Sequence, residues 1–549
     1  MEVISIVLFL LLAVVVSGAV SRMLPLPIPT PLVQILLGGL IGLSTSYRVE
    51  LDPELFLLLF LPPLLFLDGW RIPKDELLKD LPVVLELALG LVLLTVLGMG
   101  FLIHWMIPAM PLAVAFALAA VVSPTDPIAV SAIAARVPIP KRMMHILEGE
   151  SLLNDASGLV CLRFAVAAAL TGSFSATAAA ASFAWVAGAG IVIGVVVTIA
   201  AIRAKAWVSR RYGEETASQI LVSLLIPFGS YLLAEHLHAS GILAAVAAGV
   251  TMTFAEISRQ AMAATRMRRN SVWDTIQFAL NGIIFVLLGE QLPGVLAGAA
   301  QTVRITGHGN PLWLGAYVVA IVAGLVALRF TWVWVSLRLT LLRQGRAGGA
   351  DGEAQRSPEW RLVAAMSFAG VRGAITLAGV LTLPLVLDDG SPFPARDLAI
   401  FLAAGVIIVS LVIASLLLPV LLNGLTLPPE PSLQAEEDAA RVAAYEAAIR
   451  EIEHAQHELA EAHGNADYYS AAGSRVMDLY RDRIESRTQG ARVSAEARLQ
   501  DRLERDLRLR GLKAEREAIL ATVRDRAIGG TTAQKLIREL DLQEVRMRG

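Results

Sequence analysis

At 549 residues, 56% of them hydrophobic and with a mean hydropathy of +0.63, the chain is too apolar for a soluble domain, where apolar residues including glycine make up about 45–50%. It reads as a polytopic membrane protein. A net charge of −2 gives no sign of a nucleic-acid partner, and the single cysteine, Cys161, excludes an intrachain disulfide.

The start, MEVIS, places an acid where a cleavable leader has a basic region, and no small-residue cleavage site follows. Ile4 to Val20 is therefore a retained first span. With it, thirteen apolar segments run in chain order, roughly at 3–20, 28–45, 54–68, 82–107, 111–135, 147–170, 182–202, 217–234, 240–255, 273–290, 311–337, 362–386 and 397–424. About 20 apolar residues cross a bilayer as a helix, so the predicted class is all-α, with about thirteen transmembrane helices. Connections after odd-numbered segments carry twenty Lys and Arg, whereas those after even-numbered segments carry three, Arg48, Arg304 and Arg396. Basic loops stay on the cytoplasmic side. The expected topology has the N-terminus outside and the C-terminus inside the cell (inner) membrane.

The third segment ends on Asp68, which is either a site carboxylate or an interfacial one. The fifth is interrupted by Pro124 and Pro127, which bracket Thr125-Asp126. Each proline removes a backbone donor and clashes with the preceding turn, so the helix unwinds there. Unwound backbone at membrane depth is tolerated where it lines a cavity or is buried in protein. Asp126 can cap the half-helix that follows, and a purely structural cap is the plainer reading.

The sixth segment carries Glu148, Glu150, Asp155 and Arg163 inside an otherwise apolar run. A charge at the bilayer centre costs at least about 2.5–3.5 kcal/mol, which makes intramembrane ionisable residues functional candidates. Ser151 and Asp155 are four apart and stack on one helix face. Glu150 and Asn154 do the same on the adjacent stripe. The twelfth segment holds Gly370, Gly373 and Gly379 around Arg372. Arginine keeps its proton, so Arg372 needs a partner. Glu150 is the preferred one, with Asp126 and broken-helix carbonyls as rivals. The interrupted fifth and twelfth segments are seven apart, the offset expected of inverted repeats with crossing broken helices.

Weaker features complete the membrane region. Arg163 and Arg329 read as paired or snorkelling, and Glu86 as interfacial. His236 and His238 make a poor metal signal. Asn281 and Glu290 can line a cavity. After Leu425 the composition changes: residues 425–549 hold 23 of the 48 acidic and 20 of the 46 basic residues. With Leu499, Leu503 and Leu507 recurring every four residues, this part reads as soluble amphipathic helices, joined by a Pro428-Pro429-Glu430-Pro431 linker. The expected domains are 1–424, membrane-embedded, and 425–549, a helical cytoplasmic tail that is regulatory, dimerising or a plain appendage.

SPTDP at Ser123–Pro127, GESLLNDASG at Gly149–Gly158 and FAGVRGAITLAG at Phe368–Gly379 resemble, in that order, the motifs of the monovalent cation:proton antiporter-1 family. These are the NhaP-type bacterial sodium/proton antiporters, related to animal sodium/proton exchangers. The resemblance covers roughly 1–424. It implies a dimerisation half and a mobile core moving as an elevator, usually in a homodimer. It implies that Asp155 binds ion and proton, and that Thr125, Asp126 and Ser151 contribute to Na⁺ binding with no separate cofactor. It makes Asp68 the looser counterpart of an acid on the third span, and it pairs Glu150 with Arg372 as structural elements beside Asn154. It also implies transport rather than enzymatic catalysis.

The chemistry is consistent with that implication. A proton or a small hard cation, Na⁺, Li⁺ or K⁺, neutralises the same carboxylate, and oxygen ligands suit all three cations. With Asn154 beside it instead of a second acid, one titrating carboxylate predicts electroneutral 1:1 exchange. A cation channel is the first alternative, though channels favour rings of repeated carbonyls. An intramembrane aspartyl protease using Asp126 and Asp155 is a more distant one, because its GxGD motif is absent.

Overall fold

The computed structural model describes residues 2–24, 28–44, 53–72, 81–127, 130, 141–171, 176–213, 215–256, 263–305, 312–346, 360–387, 390–423, 431–463, 466–488, 491–524 and 530–548. It divides into two units, Met1–Thr426 and Leu427–Gly549.

Among its described residues the regular structure of the first unit is helical, apart from an isolated antiparallel bridge between Val386 and Pro392. Its helices are α1 (Glu2–Met23), α2 (Thr30–Ser44), α3 (Pro53–Arg71), α4 (Leu81–Met106), α5 (Leu112–Val122), α6 (Lys141–Thr171) and α7 (Ala176–Tyr212). There follow α8 (Thr216–His236), α9 (Gly241–Glu256), α10 (Ala263–Ile305), α11 (Leu312–Arg346), α12 (Trp360–Phe368), α13 (Ala374–Leu381) and α14 (Arg396–Leu422). Lipid offers the backbone no hydrogen bonds, so a spanning chain satisfies them within helices. Helix occupies all thirteen apolar segments, with α12 and α13 sharing the twelfth. Among the described residues, eight helices are long and apolar enough to cross a membrane unaided, and α2, α5 and part of α9 are shorter apolar helices.

The outer surface is apolar. Leu8, Leu12, Val15, Val192 and Val196 are all exposed. Trp185 and Trp207 project from opposite ends of α7. They lie 22 residues and therefore about 33 Å apart along the helix, close to the ~30 Å hydrocarbon thickness that aromatic belts flank.

Packing sorts these helices into two groups. α1–α3 and α7–α10 pack mainly on one another, as do α4–α6 and α11–α14. They meet where α10 runs along α14, where α3 and α10 touch α13, and where α3 touches α6. The pairings repeat: α2 lies along α10 and α3 along α9, and equating segments one to six with eight to thirteen converts the first pair into the second. The same operation relates α1–α2 to α8–α9, α4–α5 to α11–α12, and α5–α6 to the contacts of α12 and α13 with α14. Glycines permit the closest approaches, as small residues do between membrane helices. A Cβ on Gly69 of α3 would stand 2.7 Å from the Val246 carbonyl of α9. Glycine is equally required at Gly289 of α10, whose Cβ would strike the Ile35 carbonyl of α2.

A π-helical turn at Glu86–Leu91 interrupts α4. Such turns disturb the regular backbone ladder, and the Ser157 hydroxyl of α6 donates to the Ala88 carbonyl there at 2.8 Å.

The second unit comprises α15 (Pro431–His463), α16 (Ala466–Thr488), α17 (Ala491–Arg524) and α18 (Gly530–Arg548). α15 packs on α16 and α17 on α18. Leu512, Ala533 and Leu540 are buried, and Arg516 bridges Asp541 (2.6 Å) and Glu544. Of the leucines spaced by four, Leu503 and Leu507 are exposed, so that row is not the buried seam. Pro428, Pro429 and Glu430 of the linker lie outside the described residues, as do Lys74, Lys79, Arg136, Arg259 and Arg356 of the basic connections used for topology.

Candidate functional site

Two interrupted helices cross in the second group. α5 stops at Val122 and the chain continues through Ser123-Pro124-Thr125-Asp126 without helical hydrogen bonding. α12 stops at Phe368, and α13 begins only at Ala374. The Asp126 amide donates to the Val371 carbonyl at 2.7 Å, joining the two unwound stretches. The half-helix expected after Pro127 lies mostly outside the described residues. The Asp126 side chain rests on Gly373, the residue before α13: a Cβ on Gly373 would overlap the Asp126 carboxylate. The negative group thus sits at the positive end of the other broken helix.

Arg372 performs the opposite function. Its Nε donates to the Val122 carbonyl at 2.8 Å and its Nη1 to the Gly370 carbonyl. One cation therefore serves the carbonyl ends of both first half-helices, where the dipoles are negative. Its backbone amide donates to Ser410 Oγ on α14 at 3.2 Å.

The expected Glu150–Arg372 pair is corrected by this geometry. Glu150 pairs with Arg329 of α11: Arg329 Nη2 donates to Oε2 at 2.7 Å and Nη1 donates to Oε1. Both side chains are within 2% of full burial. Arg329 Nε donates to the Met366 carbonyl at 2.9 Å. Arg329 therefore has a bidentate carboxylate, the preferred geometry of a guanidinium, and Arg372 has carbonyls. Sequence reasoning had Arg329 among the weaker features. An obligatory charge in an apolar span was the signal, but no periodicity could name its partner across 179 positions. Arg163 pairs with Glu235 of α8 at 2.6 Å and is partly exposed.

The two stripes on α6 become two sides of a wall. Behind it, Asn154 Nδ2 donates to Thr125 Oγ1 at 3.0 Å and to Glu150 Oε1 at 3.5 Å, and Thr125 Oγ1 donates to Glu150 Oε1 at 3.4 Å. In front, Ser151 and Asp155, one turn apart on the same face, both line one cleft. Asp155 is 3% exposed. It lines a cleft of about 400 Å³, open mouth included, together with Asp68, Thr125, Asp126, Ser151, Asn281 and Thr376.

The cleft therefore assembles all five expected ion-site residues, Asp155, Asp126, Thr125, Ser151 and Asp68, together with Asn281, expected to line a cavity, and Thr376, which was not expected. Glu150, Asn154 and Arg372 stand outside its lining. Glu290 is buried against Gly42 of α2 and does not reach it. Thr376 escaped notice because a threonine in an apolar helix carries no signal until the turn before it is placed. Asp68 and Asn281 come from the first helix group and the other polar lining residues from the second, so the seam passes through the cleft. Among the described residues no three His, Cys, Asp or Glu side chains converge as in a resident metal centre. The three aspartates face one space without clustering, an arrangement suited to a mixed shell of carboxylate, hydroxyl and carbonyl oxygens.

Comparison with known proteins places this architecture. The family model described as the transmembrane sodium/hydrogen exchanger matches residues 8–424. A protein of Escherichia coli named as an uncharacterized Na⁺/H⁺ exchanger, YjcE, is 43% identical over 99% of this chain and 98% of its own length. A Bacillus pumilus protein named as a sodium, potassium, lithium and rubidium/H⁺ antiporter is 44% identical over 77% of this chain, which spans 61% of that relative. Among solved structures, the sodium proton antiporter MjNhaP1 of Methanocaldococcus jannaschii shares the fold with a TM-score of 0.56 at 19% identity, over 77% of this chain and 99% of its own. The chain belongs to the sodium/hydrogen exchanger family.

Proposed function

We propose that this multi-pass membrane protein exchanges Na⁺ or Li⁺, and K⁺ if the cleft admits it, for H⁺ across the cell membrane by alternating access. The observation that carries the reading is Asp155, buried at the crossing of two broken helices and facing one small cleft with Asp68, Asp126, Thr125 and Ser151. A carboxylate there needs a counter-charge, and either a proton or a small cation provides it. Hard monovalent cations take oxygen ligands, and the lining supplies carboxylate and hydroxyl oxygens. The helix group bearing Asp155 can slide past the other when the site is neutralised. The empty, charged site crosses unfavourably, and that coupling makes the flux an exchange.

Asn154 stands where a second acid would permit a second proton, and its amide is engaged by Thr125 and Glu150. One titrating carboxylate supports electroneutral 1:1 stoichiometry. Residues 1–424 form the exchanger, residues 425–549 a cytoplasmic and regulatory domain, and the protein functions as a homodimer with its N-terminus outside.

The test is dequenching of a pH-sensitive dye in proteoliposomes on adding Na⁺, Li⁺ or K⁺, with and without an imposed membrane potential. Cation-driven proton movement that is indifferent to the potential is expected. Movement that follows the potential contradicts the 1:1 stoichiometry, and its absence with every cation contradicts exchange.

A further inference from the structure

The polar residues of α10 form a stripe leading into the cleft. Asp274, Gln277 and Asn281 are spaced by three and four and share one helix face. At the outer end Arg71 of α3 bonds Asp274, which is exposed, and donates from Nη1 to Gln277 Oε1 at 2.7 Å. At the inner end Asn281 lines the cleft beside Asp68, Asp126 and Asp155. Its Oδ1 is shielded from solvent and receives no hydrogen bond. Buried amide oxygens are almost always satisfied. Of the buried side-chain oxygens without a donor among the described residues, this one alone belongs to a cleft-lining residue.

The far side of α10 holds Asn281 in place. A Cβ on the adjacent Gly282 would stand 3.0 Å from Gln34 Nε2 of α2 and closer still to Val14 of α1. The helix is seated tightly on its own group and cannot withdraw the amide.

We propose that Asn281 Oδ1 is a ligand of the transported cation, supplied by the opposite helix group from Asp155, and that it sets cation selectivity. The inference rests on the reading of the cleft as a cation site. A cation between Asp155 on α6 and Asn281 on α10 is bound across the seam, so the separation of two seated helices fixes the space it must fill. Sliding of one group past the other withdraws the amide oxygen and loosens the ion.

The experiment is dye dequenching in proteoliposomes for wild type, Asn281→Ala and Asn281→Asp, with KM measured for Li⁺, Na⁺ and K⁺ at one pH. Loss of one neutral ligand should raise the KM for Na⁺ about five- to tenfold, keep the maximal rate largely intact and change the ratio of the K⁺ to Na⁺ KM values. Asn281→Asp retains the oxygen and should transport with a KM at or below that of wild type. Should the alanine variant fail to fold, Asn281→Ser, which shortens the side chain away from the cleft, carries the same expectation. Wild-type KM values and cation order in the truncated variants would overturn the proposal while leaving exchange intact. So would equal impairment by Ala and Asp, which would assign the role to the amide nitrogen. A wild type that moves no protons with any cation would overturn both this proposal and the reading beneath it.

Discussion

Replacing Glu150 with glutamine removes one charge from a pair in which both side chains are within 2% of full burial. The shape is kept, but Arg329 is left charged with the Met366 carbonyl and an amide oxygen as acceptors. Breaking a buried pair by removing one partner costs about 3–5 kcal/mol, whereas replacing both charges by well-packed neutral groups is often neutral. Arg329→Met should cost a similar amount, because among the described residues Glu150 then keeps Thr125 and Asn154 as donors. The double variant should recover much of the loss, giving a coupling of about 2–3 kcal/mol. Arg372→Met leaves carbonyls at the ends of two half-helices without their donor, at about 1–3 kcal/mol each. That loss should add to Glu150→Gln with a coupling below about 1 kcal/mol. The assay is unfolding in mixed detergent micelles followed by tryptophan emission, which reports the first unit alone because all nine tryptophans precede residue 427. Strong coupling of Glu150 to Arg372 and weak coupling to Arg329 would refute the pairing.

Two further outcomes follow from the site. Gly373→Ala would drive a Cβ into the Asp126 carboxylate and should reduce cation-driven proton movement at least about tenfold, a scale of about 1.4 kcal/mol, whereas Gly229→Ala, with open space around its Cβ position, should transport normally; equal activity of the two would show that Asp126 can move without consequence. A proton and a cation competing for Asp155 also fix the sign of the pH response. Raising the pH frees the carboxylate, so the KM for Na⁺ should fall by up to about tenfold per pH unit until ionisation is complete, and a KM independent of pH with only the maximal rate changing would exclude competition at one group.

The helices were legible because lipid permits so few backbone solutions: composition and segment length alone placed helix in every one of the thirteen apolar segments. The two interruptions were legible because Pro124, Pro127, Gly370 and Gly373 act on the backbone within a few residues of where they stand. The stripes of α6 followed from helical spacing. The ion pair did not. Which of Arg329 and Arg372 reaches Glu150 depends on how α11 and α12 pack, and a sequence records that arrangement only as unpaired charges. Thr376 remained obscure for a related reason, and Asn281 was legible only as a cavity-lining candidate beside Glu290, since a neutral polar residue in an apolar helix is tolerated in many settings and becomes informative only when the cleft beside it is known. The contact of Asp126 with Gly373 before α13 joins the two interrupted helices, and no local spacing announces it.

The most direct test of the account compares wild type with Asp155→Asn in proteoliposomes, following dye dequenching on addition of Na⁺. The amide keeps the size and hydrogen-bonding reach of the side chain but can bind neither a proton nor a cation as a counter-charge. The account predicts sodium-driven proton movement in wild type and none in the variant at any Na⁺ concentration or pH. Undiminished exchange in a folded Asp155→Asn protein would contradict it and move the exchanging carboxylate to Asp126 or Asp68.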